Sequence, residues 1–99
     1  ANKVRGMAAN LDASFGRISI KDNRSSWGSC SSQGNIAFSW RLIMAPEPVV
    51  NYIVAHEVAH LVYLNHSKDF WNTVKSLDAN YKESKNWLRT NGDFLHRVG

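Results

Sequence analysis

Residues 54–66 read VAHEVAHLVYLNH, and this stretch restricts the possible folds more strongly than any other. Valine, alanine and leucine recur there at helical spacing, so the segment is suited to packing inside a domain. Yet it also carries His56, Glu57, His60 and His66. Burying polar groups without partners costs roughly 2–7 kcal/mol each. The fold must therefore give these groups a partner, and their spacing suits a metal ion.

His56 and His60 are four residues apart, which places them one above the other on a helix face. Two neutral imidazoles so arranged can both turn a ring nitrogen toward one zinc ion. Glu57 lies about 100° further round the helix. It is beside the ligand face, where it can reach a water next to the metal and act as general base. The pattern is HEVAH, an instance of HExxH. A catalytic zinc usually takes three protein ligands. His66 reaches the ion if the helix, starting near Val49, ends near Leu64 and the chain turns at Asn65, with Ser67 capping the next helix. Two competitors are Asp69, as a ligand or as a group that orients a ligand histidine, and Glu83, as a carboxylate from a later helix.

The 99 residues suffice for one compact domain. An apolar share of 43% and an aromatic share of 11% mark it as globular rather than disordered. No apolar run approaches the ~20 residues of a membrane span, so no membrane partner is expected. Nor is there a signal-peptide pattern. The single cysteine, Cys30, excludes an internal disulfide framework. An inert thiol fits a reducing, cytoplasmic setting. A net charge of +4 permits contact with nucleic acid, but the charges are scattered. Their densest group, Lys82, Lys85 and Arg89, reads as a solvated helix face.

Along the chain, residues 1–16 show no clear period. Residues 17–21 and 36–40 alternate like strands, with Ile18 and Ile20, then Ile36, Phe38 and Trp40, sharing faces. A turn-rich segment lies between them. The two strands are expected to pair in one small antiparallel sheet. Pro48 and Glu47 suit the first turn of the histidine helix. Ser67 starts a second helix with Phe70, Val74 and Leu77 on one face. Asn80 and Glu83 resemble a capping box for a third, ending at residue 90 or 91 before Gly92. The expected class is α+β, a small sheet followed by about three helices.

Three segments, WGSCSSQGNIAFSWRLIMAP, HEVAHLVYLNHSKDFW and YKESKNWLRTNG, together resemble the YgjP-like metallopeptidase domain family over roughly residues 17–92. The family is related in pattern to SprT-like and WLM metalloproteases. The resemblance implies a zincin-like core, zinc on His56, His60 and His66, Glu57 as catalytic base, and a peptide or protein substrate. It also implies that residues 1–99 form one domain, the catalytic core of a longer protein or a trimmed version of one. The histidine spacing also resembles the metzincin pattern, but Tyr63 occupies the place where metzincins have glycine, so the chain is not placed there. One departure from the YgjP-like pattern stands out. The family commonly has a basic residue just before WGSC, where this chain has Ser26, with Arg24 two residues earlier.

The expected function is zinc-dependent peptide hydrolysis. Candidates for holding the oxyanion are Tyr63, Tyr81 and Arg41. The strand in NIAFSW is the expected place for a peptide to add alongside the sheet. Alternatives are a zinc hydrolase of a non-peptide substrate such as a nucleoside triphosphate, a nucleic-acid-associated SprT-like protease, and a binding module with structural zinc. Glu57 argues against the last, because a structural site needs no adjacent base. Trp27, Trp40, Trp71 and Trp87 are spread over different elements and read as packing residues rather than a base-stacking platform. His96 reads as a surface residue.

Overall fold

The computed structural model describes residues 2–22 and 27–96, with side chains for 3–22 and 27–91. Arg24, Ser26 and the side chain of His96 lie outside the described residues. The N-terminal stretch without a clear period forms helix α1 (Asn2–Asn10). Val4 and Ala8, four apart on one face, are its buried anchors, and they pack against the histidine helix.

The two alternating runs are strands β1 (Ile18–Lys21) and β3 (Ile36–Ser39), with a short β2 (Gly28–Cys30) between them in sequence. Their order in the sheet is β1-β3-β2. Expected antiparallel pairing of the two runs is corrected: β1 lies parallel to β3, Ile18 opposite Ile36 and Lys21 opposite Ser39. Only β2 is antiparallel to β3, with Gly28 opposite Phe38. Alternation determines which face a side chain takes but not which way a neighbouring strand runs. The order brings a second correction. β3, the strand nominated for peptide addition, is central and paired on both sides, so an added strand would have to join at β1 or β2. Gly34, at φ +82°, makes the β2–β3 turn possible. The turn is closed by Ser31 N donating to Asn35 O over 2.9 Å and Gly34 N donating to Ser31 O over 3.0 Å. Trp40 is not part of the strand, because Ser39 Oγ accepts from Arg41 N and starts a 3-10 turn, Trp40–Met44.

Helix α2 (Glu47–Ala59) begins as expected, with Glu47 and a proline in its first turn. It is the centre of the molecule. Tyr52, Ile53, Val54, Ala55, Val58 and Ala59 are buried, and α1, α3, α4 and β2 all pack on it. It ends five residues before the expected Leu64. The amides of His60, Leu61 and Val62 shift to carbonyls three residues back, tightening the chain out of the α-helix. Val62, four residues after Val58, and Leu64, three after Leu61, continue the helical apolar spacing but are left 47% and 72% exposed, which is why the pattern overestimated the helix. Helix α3 (Lys68–Leu77) starts at Ser67, whose hydroxyl accepts from Phe70 N over 3.3 Å. Phe70 and Val74 are its buried residues. Helix α4 (Tyr81–His96) continues past Gly92, since one glycine inside a helix costs only about 1 kcal/mol. The α+β class and the three helices after the sheet stand, with a mixed sheet and α1 added. Among the described residues no helix is long and apolar enough to cross a membrane.

Candidate metal centre

His56 and His60 sit at the C-terminal end of α2, and the early helix end turns the chain so that His66 comes back over them. The three ring centroids lie 4.9, 5.2 and 5.0 Å apart. One nitrogen from each ring falls within 4.8 Å of the others, and among the described residues these three form the group able to share a metal ion. Phe70 lies against all three imidazoles, at 5.1, 4.5 and 5.0 Å. Because Ser67 starts α3 directly after His66, the same cap sets the positions of His66 and of Phe70.

The hydrogen bonds fit a metal. His60 Nδ1–H donates to the Tyr63 carbonyl over 3.0 Å. With the proton on Nδ1, His56 donates to Glu57 Oε2 over 3.1 Å. Both arrangements leave Nε2 with its lone pair free, as a ligand imidazole requires. Partial desolvation, then the neighbouring His56 and His60, hold His66 below the ordinary histidine pKa, which favours the neutral form that binds metal.

Asp69 and Glu83 are exposed, in the first turns of α3 and α4, and neither belongs to the converging group. The orienting contact expected of Asp69 is made at His60 by a backbone carbonyl. Tyr63 supplies that carbonyl, while its ring packs against the core. Arg41 is 1% exposed and pairs with Asp22, and it stacks over Trp40 at 4.5 Å. Its guanidinium is held by these groups rather than offered to the metal centre. Tyr81 is drawn in, with its ring stacked between Tyr52 and Trp71 at 6.5 and 5.7 Å.

Beside the histidines opens a cavity of about 520 Å³, lined among others by Tyr52, His56 and Glu57 of α2, Gly28 of β2, and Lys85 and Arg89 of α4. Glu57 is 4% exposed, yet it lines this cavity. Tyr52 was missed by sequence reasoning. It lies four residues before His56 on the same helix face, the very spacing used for the histidine pair, so the signal was present. Burial, then the Glu57 and Tyr81 groups, push its phenol up to about 12, so it remains a hydrogen-bond donor throughout the neutral range. The Cys30 thiol is also raised, by burial and then by Glu57, which agrees with an inert thiol.

In the sequence Gly28 is only one residue of the WGSC motif, and its role is steric. A Cβ there would lie 3.0 Å from Glu57 Cγ, 3.2 Å from Oε2 and 3.3 Å from the Ala37 carbonyl. Glycine within a strand often marks such a close approach. Gly28→Ala is therefore expected to shift the Glu57 carboxylate by a few tenths of an ångström, a displacement that a crystal structure of the variant would show.

A family model, the YgjP-like metallopeptidase domain, matches residues 1–91. The fold is similar to the crystal structure of the metallopeptidase zymogen of Pyrococcus abyssi abylysin, with a TM-score of 0.79 and 23% identity, covering 91% of each chain. At that identity the likeness concerns the fold. No curated protein matches the chain.

Proposed function

Because the chain belongs to the YgjP-like metallopeptidase domain family, we propose that it is a zinc-dependent peptidase with His56, His60 and His66 as ligands and Glu57 as catalytic base. The observation that carries this reading is the convergence of three imidazoles beside a buried carboxylate at the edge of an open cavity. A cytoplasmic setting, and residues 1–99 as a single catalytic unit, belong to the same proposal.

His56, His60 and His66 would hold the ion, which would supply Lewis acidity toward a water molecule and the substrate carbonyl. Glu57 accepts the proton from the attacking water on a carboxylate oxygen and delivers it to the leaving nitrogen. His56 Nδ1–H holds Glu57 Oε2 in place for this transfer. The Tyr52 phenol, protonated and on the cavity wall, donates to the oxygen on which charge develops. Tyr81 stacks on its ring and steadies it. Tyr52→Phe is expected to lower kcat roughly tenfold to a hundredfold with KM and metal content little changed. A fall in metal content instead would mean that Tyr52 only packs the site.

The test is metal content read beside hydrolysis. Protein supplied with zinc is expected to hold about one ion per chain and to cleave unstructured peptides, and His66→Ala to lose most of both. Bound metal is also expected to fall with pH. His66, held below the ordinary histidine value, stays neutral to a lower pH than a free imidazole. Release should therefore be most marked below the usual range, about pH 6.5. Peptide hydrolysis indifferent to chelation would sink the reading. Turnover of a nucleoside triphosphate with no peptide cleavage would replace it with the non-peptide alternative.

A further inference from the structure

We propose that Lys85 and Arg89 of α4 form an anion-recognising wall beside the metal centre, so that the preferred peptide is one that presents a carboxylate there. This deepens, and rests on, the peptidase reading above. The three basic residues that look like a solvated helix face in the sequence are exposed, but they are not simply solvated. Lys85 and Arg89 line the same cavity as His56 and Glu57. They also line a second hollow of about 460 Å³, with Trp71, Tyr81, Lys82 and Asn86. The two hollows share Lys85, Asn86 and Arg89, so they adjoin along this stretch of α4.

Between these hollows Lys85 is anchored. Its Nζ lies 4.3 Å from the centre of the Trp71 ring, and Trp71 is stacked on His66 with centroids 6.0 Å apart. The ammonium is thus held by a cation–π contact to a ring that itself touches the metal centre. Among the described residues, neither Lys85 nor Arg89 has a carboxylate within ion-pair distance. Among the described residues the one acidic side chain on the two hollows is Glu57, which faces His56. Like charges at i and i+4 on a helix repel, and an anion between Lys85 and Arg89 would relieve that repulsion. Arginine's planar fork suits a carboxylate in particular, because two parallel N–H groups can meet its two oxygens. The carboxylate has two possible sources, an acidic side chain or the C-terminus of the peptide.

Calorimetric titration of the zinc-loaded Glu57→Gln protein, which can bind peptides without turning them over, distinguishes these cases. One pair of peptides differs only by glutamate against glutamine, the other only by a free or an amidated C-terminus. The carboxylate member of at least one pair is expected to bind roughly tenfold tighter, and which pair responds names the source. The preference should vanish in Lys85→Gln/Arg89→Gln, checked for folding by circular dichroism, and shrink at ~0.5 M salt. Equal affinities within both pairs overturn the proposal. So does a preference that survives the double substitution, or a nucleoside triphosphate that binds more than about tenfold tighter than every peptide, since the wall then reads phosphate. Failure of the peptidase reading shows separately, as absence of cleavage by zinc-loaded protein with Glu57 intact.

Discussion

Glu57→Gln is expected to lower peptide hydrolysis by about 10²- to 10⁴-fold, the usual contribution of a positioned general base, while bound metal stays at the wild-type level. Glutamine keeps the size of the side chain and can still accept a hydrogen bond from His56 Nδ1–H, now made over 3.1 Å. The fit against Gly28 is also kept, so the imidazoles should not move. What is lost is the basicity needed to take a proton from water. Metal analysis and steady-state kinetics on the same preparation separate the two effects. Loss of metal along with activity would mean that the carboxylate mainly holds the site together. Retained hydrolysis would transfer the base role to another group, or reduce the metal centre to a structural one.

Phe70→Ala is expected to destabilise the protein by about 3–5 kcal/mol, a large share of the roughly 5–15 kcal/mol that holds a domain of this size. Phe70 is fully buried and is the common floor of the three imidazoles. Removing the ring leaves a cavity under all of them at once. Each imidazole gains freedom to turn away, so zinc affinity should fall as well, by about the 10- to 100-fold typical of losing a group that orients a ligand. Denaturant melts of the metal-free protein give the first quantity, and competition with a chelator gives the second. Phe70→Leu, which keeps most of the volume, should recover most of both. A stability loss with unchanged zinc affinity would show that Phe70 is core and no more.

Residue types and spacing carried the chemistry of the centre. HExxH placed two imidazoles and a carboxylate on known sides of one helix because α-helical geometry is local and regular. Ser67 was legible as a cap for the same reason, since a cap depends on a few neighbouring residues. Strand direction was not legible. β1 and β3 show the same alternation whether they run parallel or antiparallel, and only the tertiary pairing, with β3 central and β1 parallel to it, tells the two apart. The end of α2 was misread because Val62 and Leu64 continue an apolar pattern that the fold leaves exposed.

The cavity residues divide the same way. Tyr52 was within reach of the spacing argument, four residues before His56, and was passed over. Gly28 was not, because its role is the absence of a Cβ against a side chain nearly thirty positions away. Arg41 resembled an oxyanion donor until its pairing with Asp22 was known, and Lys85 resembled a solvated charge until Trp71 was seen beneath it. The sequence by itself determined the candidate ligands, the candidate base and the helix that presents them, since these depend on contacts within a single turn or cap. The tertiary structure alone decided how the strands pair, how closely Gly28 meets Glu57 and which cations line the cavity. Those are long-range contacts, and nothing in the local order of residues encodes the distance between elements that fold brings together.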